Sequence, residues 1–225
     1  MTIKYFGVGA ASSASGDVTL VDASVTLATD AHLSYQWVNT ATDYDADPAK
    51  FPAYLRFDGA DDALQTANID FTSTDKMTAW AGVTKLSNSD YCLLLEHGTT
   101  GANADLSVWA PYTGSNYRGD AAQGGGSQAS APALPAPRSD VLSLIGDRAA
   151  GLVATLRVAG GVYQSALTVP PGGNYTNQSL YIGARAGTSI FFNGRIYSLI
   201  VRGTQSSLSQ IEATELYIKQ KMRMP

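Results

Sequence analysis

The sequence predicts an all-β protein that ends in a single amphipathic helix. Good helix formers are scarce among its 225 residues, because Glu occurs three times and Lys six times, whereas Gly occurs 22 times. From residue 53 onward, short runs of alternating apolar and polar residues follow one another, separated by Gly, Asn, Asp and Pro. Near the C-terminus the apolar period changes from two residues to that of a helix.

Composition limits the partners that this protein can have. With 44% apolar residues the chain can bury one sizeable core or two small ones. Its formal net charge of -4 leaves no basic field for a phosphate backbone, so we expect no nucleic-acid partner. No segment approaches the roughly 18 apolar residues of a membrane span, and residues 1–17 lack the apolar stretch of a secretion signal. We therefore expect no membrane partner and no export by the usual secretory route.

The chain is predicted to divide into an N-terminal arm, residues 1–27, and one domain, residues 28–225. The arm is rich in Ala, Ser, Gly and Thr. The domain is expected to begin with a strand over 33–38, which an acidic loop over 43–48 follows.

Several later segments have the apolar pattern of strands. Residues 54–57 and 152–158 alternate, and the second run places Leu152, Ala154, Leu156 and Val158 inward. Residues 93–95 and 196–201 are apolar on both faces, which is typical of central strands covered on two sides. Between 190 and 197, Asn193-Gly194 predicts a type I′ hairpin turn. The single cysteine, Cys92, lies in an apolar run and is expected to be a buried, unreactive thiol.

Residues 207–222 form the predicted C-terminal helix. Ser209 with Glu212 fits a capping box, and Leu208, Ile211, Ile218 and Met222 share one face. In contrast, residues 110–138 contain three consecutive glycines, followed by the prolines Pro132, Pro135 and Pro137. We expect that stretch to be a long exposed loop.

Six segments, taken in their order along the chain, resemble those of a known family, and the resemblance covers roughly residues 50–222. Together they resemble the laminin-G-like, concanavalin A-like domain of structural proteins in tailed-bacteriophage virions. The segments are Leu55-Arg56-Phe57-Asp58-Gly59-Ala60-Asp61-Asp62, the strand Met77 to Val83, Leu156-Arg157-Val158, Leu180-Tyr181-Ile182-Gly183-Ala184-Arg185, Phe192-Asn193-Gly194-Arg195-Ile196-Tyr197, and the terminal helix.

This resemblance implies a jelly-roll sandwich of two antiparallel sheets. It also implies a place on the surface of a capsid or tail, in a protein that is made in the host cytoplasm without a signal peptide. The arm is then expected to attach the domain to other virion proteins, and the protein is expected to be a homo-oligomer, either a trimer or a multicopy decoration. Two non-enzymatic functions follow. The domain either binds a host-surface glycan or serves as a capsid decoration or tail structural protein with protein contacts alone.

No catalytic constellation is recognised in the sequence. Hydrolases of the concanavalin A-like fold resemble one another in a strand bearing Glu-x-Asp-x-x-Glu, and Glu96 has no carboxylate at that spacing. His32 and His97 are not accompanied by a Gly-x-Ser-x-Gly elbow, and we expect them to be surface or strand-end residues. The sequence therefore predicts that the protein is not an enzyme.

Sugar binding requires aromatic faces that stack on the ring and planar polar groups that bond its hydroxyls. Two predicted loops supply this mixture, and their candidate ligand-binding residues are Trp109, Tyr112, Asn116, Tyr117 and Arg118 in the first and Asn174 and Tyr175 in the second.

Two clusters of aspartates offer the hard oxygen ligands that calcium prefers. The alternating Asp43, Asp45 and Asp47 are the candidate metal ligands. Asp58, Asp61 and Asp62 crowd a predicted turn, where aspartates also bond to backbone N–H groups without any metal.

Overall fold

The structure is a computed structural model, and its described part confirms the prediction of an all-β protein with one C-terminal helix. The described residues are 52–89, 91–98, 105–121, 127–150, 152–166 and 172–224. The predicted arm, the predicted strand over 33–38 and the acidic segment over 43–48 lie outside them.

Two six-stranded antiparallel sheets make up the described domain. The first sheet contains, in spatial order, Leu55–Asp58 (β1), Asn193–Arg202 (β12), Lys76–Lys85 (β3), Arg138–Asp147 (β8), Leu152–Val158 (β9) and Gly161–Ala166 (β10). The second contains Leu64–Asp70 (β2), Asn177–Ile182 (β11), Leu93–His97 (β4), Leu106–Trp109 (β5), Asn116–Asp120 (β6) and Gln128–Ala133 (β7).

The main core is formed by residues that both sheets contribute, on the faces that they turn toward each other. Leu106 and Val108 of β5 belong to this core, as do Leu142 and Leu144 of β8. Because side chains alternate along a strand, Ser107 and Trp109 of β5 lie on the opposite face of the second sheet. The predicted inward set in β9 is confirmed for Ala154, Leu156 and Val158, which are all buried in the same core.

A smaller core lies between the outer face of the first sheet and the helix Leu208–Met222 (α1). Ile211, Ile218 and Met222 of α1 pack there with Trp80 and Val141. This contact covers the second face of β3, β8 and β12, as the doubly apolar run 196–201 predicted.

In the described part, no helix is long and apolar enough to cross a membrane.

The N-cap of the helix lies two residues before the predicted one. Ser207 is the N-cap, since its side chain accepts from the Gln210 backbone N–H and the Gln210 side chain accepts from the Ser207 N–H. The capping box predicted from Ser209 and Glu212 is therefore wrong. Both pairs have the same spacing, but only Gln210 lies at the third helical position.

The prediction of one long loop over 110–138 is also wrong, because the segment contains β6 and β7 and the first residue of β8. Some positions of these strands carry small residues, because the two sheets approach closely there. A Cβ on Gly119 would lie 2.6 Å from Leu144, and Ala129 and Ala131 are buried in the main core. Pro132 is tolerated because β7 is an outer strand of its sheet.

The Asn193-Gly194 hairpin is likewise absent from its predicted place. Both residues lie in β12, where Gly194 pairs with β1 and with β3, and a Cβ there would overlap the Thr84 carbonyl oxygen. The nearest tight turn is centred on Ala186 and Gly187, whose φ angles are 48° and 72°. Gly194 therefore allows a close backbone approach and does not supply a positive φ.

Candidate functional site

An aromatic cluster lies on the face of the second sheet that points away from the main core. We define it as Tyr91, Trp109, Tyr112, Arg118 and Arg185. The Tyr112 ring lies edge-on to Tyr91 at 5.1 Å and to Trp109 at 5.4 Å between ring centres. The Arg118 guanidinium lies 4.1 Å from the centre of the Tyr112 ring, and that of Arg185 lies 4.8 Å from the Trp109 ring. These distances allow cation–π contact.

Strand pairing brings the centre of this cluster together. Trp109 of β5 is directly opposite Arg118 of β6, and both side chains point away from the core. One carboxylate fixes them: Asp120 accepts from Trp109 Nε1 at 2.9 Å and from Arg118 Nε at 2.8 Å. Ser107 adds a third bond to this carboxylate at 3.0 Å. The guanidinium and the indole are therefore held in fixed orientations.

A second ion pair holds the other arginine. Arg185 Nε lies 3.6 Å from Glu96 Oε1, and the second Glu96 oxygen accepts from the Ala186 backbone N–H at 3.2 Å. Glu96 is fully buried. Its carboxylate thus anchors the turn that carries Arg185, and it has no exposed oxygen for attack on a substrate.

Exposure differs within the cluster and decides which members a ligand can reach. Trp109 and Arg118 are each 5% exposed, whereas Tyr91 is 48% exposed. Tyr112 is half-buried. The cluster therefore presents a tyrosine pair to solvent, with the buried indole and guanidinium supporting it from behind.

The structure brings only three of the predicted ligand-binding residues into this cluster, namely Trp109, Tyr112 and Arg118. The prediction for Tyr117 is wrong, because its ring is fully buried in the main core, and its hydroxyl donates to Asp140 at 3.0 Å. Asn116 shapes a turn, since its side-chain oxygen accepts from the Thr113 N–H at 2.9 Å.

The second predicted loop does not form a sugar site with exposed aromatic rings. Tyr175 is 2% exposed, and its hydroxyl donates to the Ala121 carbonyl oxygen, so this ring cannot stack on a ligand. Asn174 is exposed, but its side-chain nitrogen donates to the Thr72 carbonyl oxygen at 2.6 Å. Burial of Tyr175 and Tyr117 raises the pKa of both hydroxyls, so both remain neutral at physiological pH.

Tyr91 and Arg185 belong to the cluster although neither is among the residues predicted from the sequence. Tyr91 precedes an apolar run and has a φ of 60°, and Arg185 precedes the Ala186-Gly187 turn. Their backbones join the cluster through hydrogen bonds between segments, such as that from Tyr91 N–H to the Tyr112 carbonyl oxygen. Neither position carries a sequence signal for this, because both depend on which strands become neighbours.

A buried polar group surrounds Asp105 at the other end of β4. Asp105 accepts from Arg148 at 3.1 Å and from the backbone and hydroxyl of Thr176, and His97 Nδ1 lies 3.6 Å away. Burial by itself would raise the pKa of Asp105, but the neighbouring His97, the hydrogen bonds from Thr176 and the Arg148 charge outweigh it and lower that pKa. His97 does end a strand as predicted, but it is fully buried.

The aspartates near β1 form a compact exposed group. One carboxylate oxygen from each of Asp58, Asp61 and Asp62 lies within 4.8 Å of the others. Asp58 accepts from the Ala60 N–H at 2.7 Å, and Asp62 accepts from the Asp58 N–H at 2.9 Å. These bonds fit a turn, and calcium would require further oxygen ligands. The predicted ligands Asp43, Asp45 and Asp47 lie outside the described residues.

Comparison with known proteins shows the fold class and no closer family. No family model matches the chain, and no curated protein matches it. Among solved structures, the heptameric SAP-like pentraxin from Limulus polyphemus has a TM-score of 0.56 and 12% identity, over 71% of this chain and 80% of that one. The CBM40 domain of the Ruminococcus gnavus IT-sialidase, bound to α2,3-sialyllactose, has a TM-score of 0.50 and 14% identity, over 68% and 97%.

Domains LG4-5 of the mouse laminin α1 chain are also similar, with a TM-score of 0.51 and 14% identity over 68% of this chain and 42% of that one. Identities this low show a shared architecture alone. Taken with the two six-stranded sheets, they show that this chain folds as a laminin-G-like, concanavalin A-like jelly-roll sandwich.

Proposed function

We propose that this protein is a non-enzymatic, carbohydrate-binding domain of a bacteriophage virion surface, and that it binds a host-surface glycan through the aromatic cluster. The observation that carries the proposal is the solvent-facing pair of Tyr91 and Tyr112, supported by the fixed Arg118. Exposed aromatic rings beside planar donors are what a sugar's C–H face and hydroxyls require.

Charge pairing within the cluster also favours a hydroxyl-rich ligand. Arg118 is bonded to Asp120, and Arg185 lies beside Glu96, so a neighbouring carboxylate offsets the charge of each guanidinium in the cluster. Buried ion pairs that are already satisfied do not need a charged ligand to neutralise them. The similarity to a carbohydrate-binding domain that holds sialyllactose agrees with sugar binding at the level of fold.

The virion setting rests on the resemblance of the six sequence segments. In this proposal, residues 1–27 attach the domain to other capsid or tail proteins, and several copies are displayed together. Multiple copies would strengthen weak single-site binding through avidity.

Binding to host cells and to isolated host polysaccharide tests this function. Tyr91→Ala and Tyr112→Ala should each weaken saturable binding at least about tenfold, which corresponds to about 1.4 kcal/mol. Tyr217→Ala is the matched control, because Tyr217 is 50% exposed but lies on α1. It should bind as the unchanged protein does.

Two further outcomes are informative. Sensitivity of binding to a calcium chelator would implicate the aspartate clusters, which are Asp43, Asp45 and Asp47 and the group of Asp58, Asp61 and Asp62. Absence of binding to any host surface, by a protein that still attaches to its own capsid or tail, would refute glycan binding and favour the decoration or tail structural function.

A further inference from the structure

Strand β8 is paired along one edge but only along half of the other. β3 pairs with all ten of its residues, whereas β9 pairs only with Ser143 to Gly146. Within the described part of the chain, no strand pairs with the second edge of Arg138 to Leu142. Alternate peptide groups of this segment therefore point toward an open edge.

The turn of the β9–β10 hairpin explains why pairing stops there. β9 ends at Val158, and Ala159 and Gly160 reverse the chain with φ angles of 52° and 77°. The hairpin therefore ends beside the middle of β8, and along the first half of that strand no described strand pairs with its second edge.

A cleft of about 290 Å³ occupies the space that a longer β9 would fill. Residues 138–141 of β8 line one side, and residues 158–162 of the hairpin line another. Glu215 and Lys219 of α1 and the following Met224 line the remaining side. The volume is near the lower end of the range for ligand sites, which suits a few residues of extended chain.

The charges around the cleft favour an acidic occupant. Arg157 Nε donates to Glu215 at 2.8 Å, and Arg138 Nε donates to Asp140 at 2.7 Å, so both arginines are paired. Lys219 is exposed and forms no ion pair with another described residue. Its ammonium group is thus available to a carboxylate.

The lining also distinguishes a peptide from a sugar. Among the described residues that line the cleft none is aromatic, so they offer no stacking surface for a sugar ring. It offers instead unpaired strand peptide groups and the apolar Val162, which is 53% exposed.

We propose that this cleft binds an extended, acidic segment of a partner protein, which adds to the open edge of β8 as an extra strand. The backbone bonds would supply affinity, and Lys219 would select for acidic side chains. Four residues of such a strand would span about 13 Å along Arg138 to Val141. This interaction goes beyond glycan binding and uses a different surface, the helix-covered side of the first sheet.

Amide hydrogen exchange of the full chain, followed by NMR, tests the proposal. The probe is a terminally blocked peptide, acetyl-Asp-Val-Thr-Val-Asp-amide, and its control carries N-methyl groups that remove the central N–H donors. The open-edge amides of Arg138 to Leu142 should exchange rapidly in the free protein and at least about fivefold more slowly with the peptide bound. Their neighbours that bond to β3 serve as internal references.

Charge-reversal variants complete the experiment. Lys219→Glu should weaken peptide binding about fivefold, whereas Lys221→Glu, two residues away and outside the cleft, should leave it unchanged. Four results would overturn the proposal: open-edge amides already protected in the free chain, equal binding of the N-methylated peptide, equal effects of the two lysine variants, or no protection at about 10 mM peptide. Tyr91→Ala should not affect the peptide, so this test and the glycan test can fail independently.

Discussion

Lys85 carries a buried ammonium group whose titration should be visible in the stability of the fold. It is fully buried, and its Nζ donates to the carbonyl oxygens of Ser115 and Leu134 at 2.6 Å each. Nζ also lies 4.6 Å from the centre of the Tyr117 ring. Burial lowers the pKa of Lys85 from 10.5 to about 8, and the nearby charge of Asp140 offsets only part of this shift.

The direction of the pH dependence follows from this lowered pKa. Between pH 8 and 10.5 the unfolded chain binds more protons at this lysine than the folded chain, so the free energy of unfolding must rise with pH. From about pH 7 to about pH 9.5 the gain is about 2 kcal/mol for this one group. Above about pH 10 the buried Tyr117 and Tyr175 act in the opposite direction, because their hydroxyls ionise more readily once unfolded.

Urea unfolding at a series of pH values measures this gain, with Lys85→Met as the comparison. Methionine has a similar shape and no charge, so the contribution of Lys85 disappears while other titrating groups remain. The difference in unfolding free energy between the unchanged protein and the variant should shift by about 2 kcal/mol across that window. A difference that stays constant to within about 0.5 kcal/mol would refute the assignment of a lowered pKa to Lys85.

Four substitutions test other parts of the fold. Trp109→Ala should lower the free energy of unfolding, measured by urea titration, by about 3–5 kcal/mol, because the Trp109 ring is buried. A loss below about 1 kcal/mol would contradict that burial. Gly82→Ala should lower the free energy of unfolding by about 1–3 kcal/mol, because a Cβ at this position would lie 2.5 Å from Ile218. An unchanged melting temperature would contradict this packing of α1. Ser207→Ala should cost about 1 kcal/mol and Ser209→Ala less than about 0.5 kcal/mol, and the reverse order in thermal unfolding would favour the cap predicted from sequence.

Local periodicity was sufficient to predict several of the strands and the C-terminal helix, because burial on one face leaves a regular pattern. The inward residues of β9 and the doubly covered β12 are examples. Glycine was the source of the main errors. The same residue type permits a turn at Gly187 and a close strand approach at Gly119 and Gly194, and only the three-dimensional neighbours distinguish these uses.

The candidate site was predictable in part. Aromatic and arginine residues around 109–118 indicated the region in which the aromatic cluster lies, but Tyr117 and Arg118 point to opposite faces of β6. Their order in sequence does not reveal which face meets the core, because that depends on the register of β6 against β5. Tyr91 and Arg185 enter the site from distant segments, so no local pattern could include them.

The pairing of β1 with β12 has a consequence for how the protein is made. The first described strand, β1, belongs to the first sheet only through its pairing with the last strand, β12, in which Leu55 is opposite Ile196. During synthesis, β3 and β8 leave the ribosome long before β12. Their apolar faces therefore remain uncovered until nearly the whole domain has been synthesised. Folding must therefore be dominated by contacts that are distant in sequence, which makes it slow and leaves the nascent chain dependent on protection from aggregation.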